Sequence, residues 1–229
     1  MLKIYGNKTF NAVKAVLAAE EAGVDYEYIV VDLQSGAHKA PDYMKIHPLG
    51  KIPAMEHDGH AIFESNNMCR YIANISDSNL YSKDALEAAK IDQAVDFIGY
   101  HAGRWITVYF FEEIVKTVLL GKEVDPAAIE EAAGFLKDQL TYMDGLLIDN
   151  QFLCGDHLTI ADCVAFAMII EDGKQVSEGH MGEDYRLQTE GLLKYINLDL
   201  NILMEGLSGP PRNPDLPEDP ITNPAGNVS

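Results

Sequence analysis

Strand-like and helix-like hydrophobic patterns alternate over the first 75 residues, and helical patterning alone follows. Lys3-Ile4-Tyr5 is a short apolar strand. Asn11 to Ala22 sets alanine, leucine and valine at helical spacing and stops at Gly23, a residue that readily closes a helix in the left-handed conformation. Asp25 to Leu33 is β-rich through Tyr26, Tyr28, Ile29, Val30 and Val31. The first unit is therefore strand, helix, strand, with parallel strands and a right-handed crossover. A polar loop, a short helix near Pro41 to Lys45 and a proline turn at Ile52-Pro53 come next. Asp58-Gly59 signals a tight hairpin, Ala61-Ile62-Phe63 a strand, and Ser65 to Ile75 a helix.

The polar, turn-rich Ile75 to Asn79 places a linker at roughly 76–85. Beyond it, Asp84 to Leu120 has long 3.6-residue patterning, and Pro126 suits the first turn of a helix that runs to about Ile148. Thr159-Ile160-Ala161-Asp162 reads as a capping box opening another helix, which gives Asp162 a structural rather than a catalytic task. From Gly209 onward six of the ten prolines crowd into 21 residues with little apolar content, so 209–229 is expected to be a disordered, dispensable tail. The domains predicted are 1–78, 84–208 and this tail.

Composition narrows the function. The 229 residues carry a net charge of −19, which argues against nucleic acid, whose phosphates demand a basic surface. Residues 1–80 hold 7 Lys/Arg against 10 Asp/Glu and residues 81–229 hold 10 against 26, so the N-terminal part is the one suited to an anionic ligand. Cys69, Cys154 and Cys163 are widely spaced and suggest neither a disulfide framework nor a cysteine metal site. The histidines lack metal-ligand spacing, and no metal is expected. No apolar run approaches the ~20 residues of a membrane span, and no signal region opens the chain. A soluble, cytoplasmic protein is expected.

The segment His47-Pro48-Leu49-Gly50-Lys51-Ile52-Pro53, with Glu64-Ser65 beyond it, carries the most chemistry. An X-Pro bond between two extended pieces is the ordinary place for a cis peptide. A cis Pro53 would turn the N–H and C=O of Ile52 outward, where a bound peptide pairs with them like an added strand. Glu64 and Ser65 precede a helix whose free N–H groups favour a carboxylate. These pieces, with Lys3-Ile4-Tyr5-Gly6 and Gly36-Ala37-His38-Lys39-Ala40-Pro41, fall in the order and at the spacings of the cytosolic glutathione transferases. The first 75 or so residues resemble that family's thioredoxin-like domain, and Leu153 to Phe166 resembles its helical-domain signature. The resemblance implies an α/β thioredoxin-like domain followed by an all-α domain.

It also implies a co-substrate, glutathione, whose thiolate rather than thiol attacks the electrophile. Lowering a thiol pKa near 8.5 by about 2 units takes roughly 2.7 kcal/mol of differential stabilisation, which one hydrogen bond to the sulfur and a helix N-terminus can supply. The family keeps its activating group between the first strand and helix, here Gly6 to Asn11, where no cysteine occurs. Tyr5 competes for the role, yet it lies within the strand and lacks the arginine-glycine segment of the tyrosine-type classes. Thr9 and Asn11, with Lys14 three residues on, resemble the nu-like and fungal-type enzymes in which threonine and asparagine face the sulfur. Asn11 and Thr9 are therefore the expected catalytic pair. By the same resemblance His38, Lys39 and Lys51 approach the glycine carboxylate as in phi- and theta-like enzymes, and the Ile52 backbone beside Pro53 pairs with the cysteinyl residue. Glu64 and Ser65 then hold the γ-glutamyl group. On the first long helix of the second domain His101, Arg104, Trp105 and Val108 recur at helical spacing as electrophile contacts.

The reading that results is a homodimeric, cytoplasmic glutathione transferase of the detoxification type, acting on a small hydrophobic electrophile. Its rivals are a glutathione-dependent disulfide reductase or ether-cleaving lyase on the same site, and a non-catalytic binding module.

Overall fold

In the computed structural model of the chain, residues 1–7 and 9–171 are described, and they fall into two compact units that divide between Ser78 and Asn79. The rest of the predicted 84–208 domain, beyond residue 171, and the predicted 209–229 tail lie outside the described residues.

In the first unit, β1 (Leu2–Gly6) leads through α1 (Phe10–Ala22) to β2 (Tyr26–Val30), which pairs parallel to β1 from Leu2↔Tyr26 to Gly6↔Val30. Helix α2 (Pro41–Ile46) has proline in its first turn, where the missing N–H would have found no partner anyway. Strand β3 (Ala54–His57) returns antiparallel to β1, and β4 (His60–Phe63) pairs antiparallel to β3. The two residues between them, Asp58 at φ 50° and Gly59 at φ 81°, have the positive φ pair that lets a two-residue turn follow the strand twist. Helix α3 (Ser65–Ile75) completes the unit, and the sheet order is β2-β1-β3-β4.

Tyr5, Ile29, Val31, Tyr43 and Ala54 form a core on the sheet face covered by α2. Strand alternation points Leu2 and Ile4 to the opposite face, where α1 and α3 pack together. Helix α1 is buried from Ala12 through Ala19 and so behaves as a core helix rather than an amphipathic surface one. This is the thioredoxin-like arrangement expected from the strand-helix order.

The second unit is helical. Patterning predicts one helix over 84–120. The chain is helical there, but α4 (Ala85–Phe97) and α5 (Gly103–Phe110) are followed by wider π turns at Ile98–Ala102 and Phe111–Leu119. A π turn shifts the helical face by one residue, a change too small for average periodicity to register. Gly103 sits where the first shift ends, and a Cβ there would lie 2.5 Å from the Met168 side chain and 2.9 Å from the Ile98 carbonyl. Asp84 caps α4 through the N–H groups of Leu86 and Glu87, and Asp125 caps α6 (Pro126–Leu146) through that of Ala127. Helix α7 (Ile160–Ala165) opens on the expected box. Buried Asp162 accepts hydrogen bonds from the N–H groups of Leu153 and Thr159 and from the Thr159 hydroxyl at 2.8–2.9 Å. Among the described residues no helix is long and apolar enough to cross a membrane.

Candidate functional site

The site grows from the two helix starts of the first unit. Gly6 ends β1 where α1 comes closest, since a Cβ there would meet the Ala12 Cβ at 2.7 Å and the Tyr28 hydroxyl at 3.1 Å. That hydroxyl donates to the Asn7 carbonyl at 2.9 Å, which fixes the turn into α1. Thr9 is the N-cap residue of α1 in extended conformation, yet its side chain makes no cap hydrogen bond. Asn11 is the second residue of the helix, within its first turn, so the N-cap position belongs to Thr9. The Asn11 Oδ1 accepts from the Lys14 ammonium at 2.9 Å and from the Ser65 hydroxyl at 3.3 Å. The second contact joins residues 54 apart in sequence and ties the start of α1 to the start of α3. Exposed Glu64, just before α3, is held at φ 70°, a left-handed conformation that a non-glycine residue adopts at some cost.

The loops beside β3 bring the remaining predicted residues together. His38 and Lys39 belong to a short 3₁₀ turn, Ala37–Lys39, which lies against the His47-to-Pro53 segment. The Lys39 ammonium donates to the Leu49 carbonyl at 2.8 Å. Gly50, at φ 55°, has room for no side chain, because a Cβ would lie 2.5 Å from the His38 carbonyl and 2.9 Å from the Lys39 side chain. The Tyr43 hydroxyl donates to the Lys51 carbonyl at 2.6 Å. Buried His47 accepts the Leu49 N–H at 3.3 Å and lies against the Phe63 ring at 4.7 Å. Burial holds its imidazole below the ordinary histidine pKa, and the nearby Glu64 carboxylate offsets this only in part. The Ile52-Pro53 bond is cis, and no hydrogen bond among the described residues takes up the backbone N–H or C=O of Ile52.

Polar satisfaction marks the same segments. Buried polar atoms in folded proteins nearly always have partners. Of four buried side-chain atoms that lack one among the described residues, three (Asn7 Oδ1, His38 Nδ1 and Asn66 Oδ1) lie on the turn into α1, the 38–39 turn and the first turn of α3. The rival Tyr5 is 7% exposed in the core and meets Tyr43 edge to face at 6.0 Å. Cys69 is fully buried, and burial pushes its thiol up to about 12, so it is unsuited to thiolate chemistry. Among the described residues no group of three His, Cys, Asp or Glu side chains is placed to hold a metal.

In the sequence Tyr43, His47 and Lys14 are visible only as parts of longer segments. The structure gives each a distinct hydrogen-bond partner, and for Lys14 a signal existed: it is the one charged residue in the apolar run Ala12 to Ala19.

In the second unit, the predicted stripe leans toward α6. His101 stacks on Phe97 at 5.1 Å, and Phe97 meets Tyr142 of α6 at 4.7 Å. Trp105 lies flat on Phe135 of α6 at 4.4 Å, with the Arg104 guanidinium 4.8 Å from the Trp105 ring. Val108 is half-buried, while His101 and Arg104 are exposed. Much of this aromatic surface thus serves helix pairing.

Comparison with known proteins agrees with this architecture. The family model described as the glutathione S-transferase N-terminal domain matches residues 1–74. Glutathione S-transferase 3 of Zea mays is 34% identical over 164 residues, 70% of this chain and 73% of that protein. Elongation factor 1-gamma 1 of Oryza sativa subsp. japonica is 37% identical over 166 residues, but these are 69% of this chain and only 37% of that protein. The crystal structure of glutathione transferase F2 from Populus trichocarpa superposes with a TM-score of 0.75 at 27% identity, covering 86% of this chain and 92% of the other. Matched to a glutathione S-transferase over most of that relative's length and folded alike, the chain belongs to the glutathione S-transferase family.

Proposed function

We propose that this protein is a glutathione transferase that binds glutathione in its first unit and activates the thiol for attack on a small hydrophobic electrophile. The observation that carries the reading is the hydrogen bond between Asn11 and Ser65. It sets the group proposed to face the sulfur beside the group proposed to hold the γ-glutamyl end, which are near neighbours in the tripeptide. His38, Lys39 and Lys51 are assigned to the glycine carboxylate, the Ile52 backbone to the cysteinyl residue, and Glu64 and Ser65 to the γ-glutamyl group. Thr9, whose hydroxyl makes no cap bond, and the Asn11 amide donate to the thiolate at the positive end of α1. His101, Arg104, Trp105 and Val108 are the proposed electrophile contacts, of which exposed Arg104 suits an electrophile with an anionic or oxygen-rich group. A cytoplasmic homodimer acting in detoxification fits this reading.

The second reading, a non-catalytic binding module, is favoured by one observation: a protein named as an elongation factor is as similar in sequence as a transferase is. Retention on immobilised glutathione followed by turnover assays separates the two. The panel comprises an aryl halide, an epoxide, a hydroperoxide, a disulfide and an aryl ether. Retention with transfer to the halide or epoxide is expected. Preferred turnover of the disulfide or the ether replaces transferase by reductase or lyase, and retention without any turnover establishes the module.

A further inference from the structure

Lys14 is an anomaly in its surroundings. It is 3% exposed on a helix whose neighbours from Ala12 to Ala19 are otherwise alanine, valine and leucine. An ammonium held out of water costs stability unless its interactions repay it, and an apolar side chain of similar volume is often neutral or better in such a place. The Lys14 ammonium lies 2.9 Å from the Asn11 Oδ1 and 5.9 Å from the centre of the Phe10 ring. Both contacts are with residues in the first turn of α1.

An ammonium can only donate, so the atom of the Asn11 amide that faces it has to be the oxygen. The Ser65 hydroxyl points to the same oxygen. Two donors occupy its two lone pairs, and the amide is left with one orientation, its NH₂ turned away from Lys14 and Ser65. Contact with a cation also draws electron density toward the oxygen and makes the N–H a stronger donor. Cys69, close enough for the lysine charge to act on it, keeps its proton because burial raises its pKa to about 12, and it does not compete for the ammonium as a thiolate.

We propose that Lys14 is a positioning residue for thiol activation, its buried ammonium locking and polarising the Asn11 amide so that the N–H groups face the glutathione sulfur. The inference rests on the transferase reading. Lys14 acts through Asn11 and has no proton to give or take in the reaction.

The test is thiolate absorbance against pH for glutathione bound to the wild type and to Lys14→Met, Lys14→Arg and Asn11→Asp, with steady-state kinetics and Tm for each. Lys14→Met is expected to raise the bound thiol's pKa by about one unit, a tenfold loss of thiolate on the acid side of the titration. Its kcat should fall in step, with KM for glutathione within about twofold and Tm unchanged or higher. Lys14→Arg, also a donor-only cation, should restore the wild-type titration. Asn11→Asp keeps the contact with Lys14 as an ion pair and therefore the fold, but replaces the N–H donor by an oxygen, so the thiolate should be lost. A Lys14→Met protein with the wild-type thiol pKa overturns the inference. If that variant fails to fold, Asn11→Asp decides, and a wild-type thiol pKa there overturns it equally. A wild type that forms no thiolate below pH 8.5 overturns the transferase reading as well, an outcome distinct from a normal wild type beside an unaffected Lys14 variant.

Discussion

At the scale of single residues, the cluster proposed for the glycine carboxylate and the buried His47 make separable contributions. His38 and Lys51 are assigned to the end of glutathione far from the sulfur, where contacts are alike in ground and transition states. Lys51→Ala and His38→Ala should therefore raise the Michaelis constant for glutathione several-fold and leave kcat within about twofold. An unchanged constant in both variants removes them from the site. His47 acts on the fold instead. Its pKa is lowered by burial, so its stabilising effect is present above the ordinary histidine pKa, about 6.5, and is lost as pH falls through that value toward the folded one. His47→Asn should be less stable than the wild type at pH 8, and the gap in Tm should narrow below about pH 6. A gap that is constant across this range contradicts a neutral, buried His47. The candidate residues were nameable from sequence because the motifs around them are local. The task proposed for Lys14 was hidden because it depends on Ser65, which only the tertiary fold brings to the same amide.

Among the elements, turn and cap chemistry read directly from sequence. The Asp58-Gly59 hairpin, proline in the first turn of α2 and α6, Gly23 closing α1 and the Thr159–Asp162 box all formed where local rules placed them. The register shifts in the long helix did not, since a π turn leaves average periodicity almost intact. Gly50 shows how a single position can join two elements. Gly50→Ala places a Cβ into the His38 carbonyl from a left-handed backbone, and should cost about 1–3 kcal/mol. It should also weaken glutathione binding, as the 38–39 turn separates from Leu49. A melting and titration series that shows wild-type values for both rules out that coupling. The box at α7 is structural by contrast. Asp162→Ala removes an acceptor of three buried hydrogen bonds and should destabilise the protein by about 2–4 kcal/mol. The thiol pKa of bound glutathione should stay unchanged in any molecules still folded. A shift in that pKa would give Asp162 a part in the chemistry that its position does not suggest.

For the molecule as a whole, the division of charge coincides with the division of chemistry proposed above. The basic groups proposed to meet glutathione, His38, Lys39 and Lys51, lie in the nearly balanced N-terminal part, and most of the net −19 lies beyond residue 80. The order of strands and helices made the fold class legible, whereas the electrophile stayed obscure, because the stripe expected to hold it is shared with packing against α6. Relatives named as transferases and as elongation factors leave thiol activation as the property that decides between catalysis and binding alone. Calorimetric titration of glutathione at pH 7.5, repeated in buffers of different ionisation enthalpy, counts the protons released per molecule bound and measures that property directly. If binding lowers a thiol pKa of about 8.5 by about 2 units, ~0.8 proton should leave per glutathione, and S-methylglutathione should release none. Binding with no proton release, or release that is the same for the S-methyl compound, would contradict thiolate formation at this site.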